Sequence, residues 1–153
     1  MVGRAFLRRI KANGWLPQAV GGLTLGADPI AFAIARESLD TDRPIHAFIV
    51  RKEAKKHGMG RFIEGLEEMQ GCRVVILDDV CTTGDSTALA IEKTKDAGME
   101  VLGAICLVDR ESGANELLQN KFGCALDSVF KLSDFQANEN EPGRPARVIE
   151  SAA

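Results

Sequence analysis

Residues 74–87 read VVILDDVCTTGDST. An apolar run carries two adjacent carboxylates, Asp78 and Asp79, then gives way to hydroxyl residues around a glycine. Gly84 permits a tight turn whose neighbours can aim several backbone N–H groups at one point. A helix starting just after it adds its N-terminal amides and the positive end of its dipole. Thr82, Thr83, Ser86 and Thr87 contribute hydroxyl donors. Together these are the makings of a phosphate pocket. The two aspartates would repel a phosphate, but they suit ribose hydroxyls, which donate to carboxylates, or water on a bound magnesium ion. A sugar phosphate satisfies both halves of the stretch. The common nucleotide motifs do not fit: there is no G-x-x-x-x-G-K-[ST], and no G-x-G-x-x-G following a strand.

Three more segments carry chemistry. RKEAKKHGMGRFIEG, residues 51–65, offers Arg51, Lys52, Lys55 and His57 as cations for a highly charged ligand, where a bland reading is a solvated charged loop. VGGLTLGADPIA, residues 20–31, is a glycine loop running into a helix. LVDRESGA, residues 107–114, ends an apolar run on Asp109 and Arg110. A planar guanidinium such as that of Arg110 can hold a carboxylate through two parallel hydrogen bonds, which lysine cannot do.

The elements that must position these segments follow from hydrophobic periodicity. Residues 2–12 place Phe6, Leu7 and Ile10 on one helical face, and Asn13-Gly14 ends that helix. Gln18–Gly21 reads as a short buried strand, with Gly21, Gly22 and Gly26 punctuating a loop after it. Asp28 is the expected N-cap of the next helix and Pro29 its first residue. Further strands are expected at Ile45–Val50, Arg73–Leu77, Val101–Val108 and Ala125–Phe130, and helices at Ser86–Ala97 and Asn115–Lys121. Strands alternating with helices predict an α/β fold: a parallel sheet with helices on both faces. Ligands bind such sheets at the C-terminal ends of the strands, so all four segments should meet at one edge.

The 153 residues suit one domain, and 45% hydrophobic content is enough for its core. Residues 1–135 are expected to form it; 136–153 are polar and rich in breakers, and are expected to be a mobile tail. A net charge of −3 argues against nucleic acid as a partner. The N-terminus has no apolar stretch suited to a signal peptide, and no segment approaches the ~20 apolar residues of a membrane span. Cys72, Cys81, Cys106 and Cys124 lack C-x-x-C spacing, so they read as reduced, structural thiols of a cytoplasmic protein.

VVILDDVCTTGDS resembles the phosphoribosyl-diphosphate (PRPP) signature of the type I phosphoribosyltransferases, and RKEAKKHG, GGLTLGADPIA and LVDRESG resemble the orotate branch of that family. The resemblance covers roughly residues 2–135. It implies a type I phosphoribosyltransferase-like sheet and the transfer of phosphoribosyl from PRPP to orotate, giving orotidine 5′-monophosphate and diphosphate in de novo pyrimidine biosynthesis. It implies that PRPP is held by Arg51, Lys52, Lys55 and His57, by the loop Leu23, Thr24, Leu25 and Gly26, and by Asp78, Asp79, Val80, Cys81, Thr82, Thr83, Gly84, Asp85 and Ser86. Lys55, His57, Asp78 and Asp79 would be catalytic, and Thr82 and Arg110 would meet orotate. Magnesium is the implied cofactor, held mainly through PRPP and water with no dedicated protein ligands. A homodimer with shared active sites is implied because the loop bearing Lys55 and His57 closes over the neighbouring subunit's site. Cys81 stands where the family more usually has an aliphatic residue, and a packing role is expected of it. The family pattern usually carries a further segment ahead of the first helix here, bearing Tyr or Phe, that covers much of the orotate ring. This chain has no tyrosine, and that hood is expected to be missing from it. Two other readings stay open: a PRPP-binding regulatory protein with little transferase activity, and a transferase for another base, against which Arg110 in its V-D-R context argues.

Overall fold

The computed structural model describes residues 1–53 and 62–139. Six strands form one sheet in the order β3-β2-β1-β4-β5-β6. They are β1 (Ala19–Leu23), β2 (His46–Val50), β3 (Ile63–Glu64), β4 (Arg73–Cys81), β5 (Glu100–Asp109) and β6 (Leu126–Lys131). Every neighbouring pair is parallel except β2 and β3. Five helices accompany them: α1 (Val2–Ala12), α2 (Asp28–Ser38), α3 (Asp85–Asp96), α4 (Ala114–Phe122) and α5 (Leu132–Glu139).

Parallel strands are buried on both faces, which is why the central ones read as nearly continuous apolar runs. Along β4, Val74 and Ile76 enter a core shared with Ala88 and Ile91 of α3 and Leu118 of α4. Val75 and Leu77 enter the opposite core with Phe6 and Ile10 of α1 and Ile30 and Ile34 of α2. Fully burying a side chain such as Phe6 or Ile34 is worth about 1.5–3 kcal/mol. On α1 the buried positions are Gly3, Phe6 and Ile10, one helical stripe. The end of that helix is tied across to β6. Arg9 donates to both carboxylate oxygens of Asp127, and Asn13 donates to Asp127 Oδ2 at 2.6 Å. Burial pushes the Asp127 carboxyl up, but the bonds from Arg9 and Asn13 outweigh it and hold it below its ordinary value.

The predicted α/β sheet is present, with four differences in its parts. First, β1 runs through both glycines to Leu23 and does not turn into a loop at Gly21. A Cβ on Gly21 would strike the Phe48 carbonyl of β2, and one on Gly22 the Leu77 carbonyl of β4. These glycines therefore let three strands close up and do not mark a turn. Second, the N-cap of α2 is Ala27, and Asp28 is the first helical residue. Its Oδ2 accepts a hydrogen bond from Thr24 Oγ1 at 2.8 Å, a different use from capping. Third, β4 extends through both aspartates to Cys81, because pairing with β5 continues to Cys81↔Asp109. Fourth, β3 and α5 were not anticipated. α5 spans Leu132–Glu139, across the expected boundary at 135. Phe135 of α5 packs on Phe130 of β6 with ring centroids 5.7 Å apart, and Lys131 N–H donates to Asp134 Oδ2 at 2.7 Å. None of the described helices is long and apolar enough to cross a membrane.

The chain leaves β1 toward β2 through α2, and leaves β4 toward β5 through α3. The strand order therefore reverses between β1 and β4. In open α/β sheets the crevice outside that reversal is where ligands bind.

Candidate active site

Two carboxylates stand together at the end of β4, and strand geometry separates them. Alternation sends Asp78 to the α3 side and Asp79 to the α2 side of the sheet. Asp78 is 7% exposed. Its Oδ2 accepts hydrogen bonds from Ser86 Oγ and Thr87 Oγ1, both at 2.7 Å, and its Oδ1 accepts the Asp79 N–H at 3.0 Å. Burial raises its pKa above the ordinary value, while the Ser86 and Thr87 hydroxyls limit the rise. The Thr87 hydrogen is committed to Asp78. Cys81 Sγ, 3.2 Å from Thr87 Oγ1, is therefore the donor in that contact. Cys81 does more than fill space. All four cysteines are free thiols, and burial pushes that of Cys124 up to about 11.

The turn after β4 leaves the start of α3 without a side-chain cap. Gly84 is the N-cap of α3, with φ 89°. The first-turn amides of a helix have no intrahelical acceptor, so they are left to face a ligand. Thr83 Oγ1 donates to Asp85 Oδ2 at 2.7 Å. Of the four hydroxyls expected to donate to phosphate, those of Thr83, Ser86 and Thr87 are thus engaged with carboxylates of the chain. Thr82 is exposed.

Asp79 is exposed and keeps one oxygen on the N–H of Val80 at 2.8 Å. It faces the loop between β1 and α2, where a Cβ on Gly26 would lie 2.7 Å from Asp79 Oδ1. A methyl there would have to push the Asp79 carboxylate aside. In the same loop the Thr24–Leu25 peptide is cis, and Thr24 N–H donates to the Val50 carbonyl at 2.9 Å. That bond ties the loop to the end of β2.

Beyond Val50, Arg51, Lys52 and Glu53 join Thr24, Leu25, Ile49 and Glu64 around an open cavity of about 490 Å³. Arg51 Nη1 pairs with Glu64 Oε1 at 2.9 Å, and Arg51 N–H donates to the Phe62 carbonyl at 2.7 Å. Lys93 of α3 sits 4.1 Å over the Phe62 ring. Lys55 and His57 lie outside the described residues. Arg110 is exposed just past β5, and its N–H donates to the Cys81 carbonyl at 2.8 Å, which seats it beside the β4–α3 turn. Among the described residues no group of three or more His, Cys, Asp or Glu could hold a metal ion.

Residues 2–140 match the model of the phosphoribosyl transferase domain. The chain is 49% identical over 134 residues to an orotate phosphoribosyltransferase of Aquifex aeolicus, covering 88% of this chain and 71% of that one. The chain belongs to the phosphoribosyltransferase family, on its orotate branch. It is also 46% identical to an orotate phosphoribosyltransferase of Synechocystis sp., covering 78% of this chain and 60% of the relative. Among solved structures it superposes with TM-score 0.73 and 42% identity on Mycobacterium tuberculosis orotate phosphoribosyltransferase in complex with PRPP. That match covers 86% of this chain and 72% of the other.

Within this family frame the structure brings Leu23–Gly26, Arg51, Lys52, Asp79, Thr82–Ser86 and Arg110 to one sheet edge. Two contributors escaped the sequence reading. Glu64 comes 13 residues after Arg51, and only the antiparallel return of β3 makes them neighbours. Asp28 was read as a cap and is instead the partner of Thr24; its other oxygen is buried with no partner among the described residues. For Asp28 there was a signal: a carboxylate four residues after a threonine, across a glycine-bearing loop.

Proposed function

We propose that this chain is an orotate phosphoribosyltransferase, moving the 5-phosphoribosyl group of PRPP onto a ring nitrogen of orotate and releasing diphosphate. The bond between the anomeric carbon and diphosphate breaks as the carbon–nitrogen bond forms, and the ribose gains oxocarbenium-like charge between them, as in glycosyl transfer generally. Such chemistry asks for positioning and electrostatics more than for covalent help. The observation carrying the proposal is the meeting, at the β1–β4 reversal, of an uncapped helix start, an exposed Asp79 and the Arg51–Lys52 pair.

In this reading the first turn of α3 takes the 5′-phosphate and Asp79 takes ribose hydroxyls. The Leu23–Gly26 amides with Arg51 and Lys52 take the diphosphate, and the family resemblance assigns Lys55 and His57 to the same leaving group. Arg110 pairs with the orotate carboxylate, with Thr82 beside the base. A bound magnesium ion supplies charge neutralisation on the diphosphate. The reading has the ion held chiefly by substrate oxygens and water, with Asp79 exposed at the crevice and Glu53 and Glu64 lining the cavity. Shared active sites in a homodimer belong to the same proposal.

The test is to mix the protein with PRPP, magnesium and orotate and follow the loss of orotate absorbance. Turnover at ordinary enzyme concentrations supports the proposal. PRPP binding without turnover would assign the chain to a PRPP-binding role. Turnover with a purine base but not orotate would move Arg110 out of base recognition.

A further inference from the structure

A second cavity, of about 770 Å³, opens at the opposite end of the sheet. It lies at the starts of β1, β2 and β4, where Gln18, His46 and Arg73 line it. Its charge has one sign. Lys11, Arg43 and Arg73 line it beside the His46 imidazole, and no Asp or Glu is among the described lining residues. The side chains of Lys11, Arg43 and Arg73 make no hydrogen bond or ion pair among the described residues. The rest of the wall is apolar, with Trp15, Leu16 and Pro44 at its centre. We propose that this cavity is a second ligand site, separate from the crevice at the other end of the strands, for a small anion that carries an aromatic ring, of the nucleoside monophosphate class. The proposal goes beyond the transferase reading and does not depend on it.

Each half of such a ligand has a counterpart. Guanidinium groups hold phosphate oxygens through paired, charge-assisted hydrogen bonds, and those of Arg43 and Arg73 have no competing partner. Trp15 serves the ring. A Cβ on Gly103 of β5 would lie 2.2 Å from the Trp15 ring, so the indole packs directly on that strand's backbone. It is only partly buried there, and its remaining surface lines the cavity. An aromatic base gains most against another flat ring. Inorganic phosphate alone would leave the indole and Leu16 wet, and an uncharged nucleoside would leave three cations unmatched. The volume lies within the several hundred Å³ usual for small-molecule sites. The walls are also fixed in advance. Gln18 N–H donates to the Arg73 carbonyl at 2.7 Å, Gln18 Oε1 accepts the Arg73 N–H at 3.0 Å, and His46 N–H donates to the Gln18 carbonyl at 2.9 Å. These bonds knit the three strand starts together. Ser38 Oγ accepts the Ile45 N–H at 2.8 Å, and Thr41 Oγ1 donates to the Ser38 carbonyl at 2.7 Å, which seats the loop bearing Arg43 on the end of α2. The length of β1, on the order of 15 Å, separates this cavity from the Leu23–Gly26 loop.

The chain has one tryptophan and no tyrosine, so its indole fluorescence reports this cavity alone. The experiment titrates the protein with uridine 5′-monophosphate and adenosine 5′-monophosphate and follows Trp15 emission. At least one of them should quench it saturably, and the matching nucleoside and inorganic phosphate should each bind at least about tenfold more weakly. Arg43→Ala and Arg73→Ala should each weaken the nucleotide about tenfold or more, as expected for losing a charged hydrogen bond. Both side chains are exposed, so a thermal melt should stay close to the parent's and show that the variants are folded. Lys52→Ala, at the other end of β2, should leave the quenching curve within about twofold of the parent's. No saturable quenching by either nucleotide overturns the proposal. Quenching that Lys52→Ala abolishes and Arg43→Ala leaves intact also overturns it, because the nucleotide then sits in the crevice. Inorganic phosphate binding as tightly as the nucleotide would overturn the aromatic half. None of these outcomes bears on whether the protein turns over orotate, which the absorbance assay decides separately.

Discussion

The β4–α3 corner and the β2–β3 corner both present polar groups to the same crevice, but they are built in opposite ways. At β4–α3, the side chains of Asp78, Thr83, Asp85, Ser86 and Thr87 are satisfied by one another. Thr82 and Asp79 are exposed there, and no side chain caps the start of α3. At β2–β3, Arg51 and Lys52 line an open cavity, and the Arg51–Glu64 pair is about 40% exposed on each side. The first corner has settled its electrostatics before any ligand comes. The second holds its charge in reserve, with Arg51 lent to Glu64 until a stronger anion competes for it. A substrate with a monoester at one end and a diphosphate at the other matches that division. The monoester end stays put, and the diphosphate end must be gripped and then released.

Four substitutions would break or sharpen the contrast. The largest effect is expected from Arg51→Ala. It should lower kcat/KM for PRPP about 100-fold, as removing a charge-stabilising donor does, while thermal stability barely moves because an exposed ion pair contributes under about 1 kcal/mol. Steady-state kinetics and a thermal melt on the same sample check both halves. Thr87→Val comes next, with the balance reversed: it should cost about 1–3 kcal/mol of folding free energy in a urea titration, because a buried carboxylate loses a donor. A variant as stable as the parent would show that the corner is not internally tied. Gly26→Ala puts a methyl 2.7 Å from Asp79 Oδ1. Since Asp79 is exposed and can swing aside, the fold should survive, while KM for PRPP rises about tenfold, the equivalent of ~1.4 kcal/mol. The smallest change should come from Glu64→Gln. It frees Arg51 of its ion pair and should alter stability by less than about 1 kcal/mol, with PRPP binding slightly tighter. Weaker binding would mean that Glu64 aims Arg51 and does not merely occupy it.

Much of this was legible in the sequence, for identifiable reasons. Strand and helix positions follow apolar periodicity, and the site segments are local runs whose chemistry does not depend on distant partners. What sequence missed depends on distance or on parity. Glu64 meets Arg51 only because a two-residue strand folds back on β2, and two residues carry no period to detect. Gly21 and Gly22 looked like loop residues because glycine is a poor strand former. Their purpose appears only once Phe48 and Leu77 close in from either side. Asp78 and Asp79 read as a matched pair when the strand was taken to stop at Leu77. Extending it to Cys81 splits them to opposite faces, and pairing with β5 decides that extension. α5 was hidden for a different reason. It is short and mostly polar, and it is held by Phe135 on Phe130 and by side-chain bonds to the amides of Lys131 and Ser133 around its start.

The thiol of Cys81 gives the molecule an internal reporter. It is fully buried and touches the residue that links strand to helix. The S–H stretching vibration falls in a spectral region that other protein groups leave nearly empty, and its frequency follows the strength of the hydrogen bond the thiol donates. A difference spectrum between free and ligand-loaded protein would therefore read the start of α3 without any label, and Cys81→Ser would assign the band. Buried thiols react slowly with modifying reagents. The rate at which Cys81 becomes labelled is then a clock for how often that corner opens.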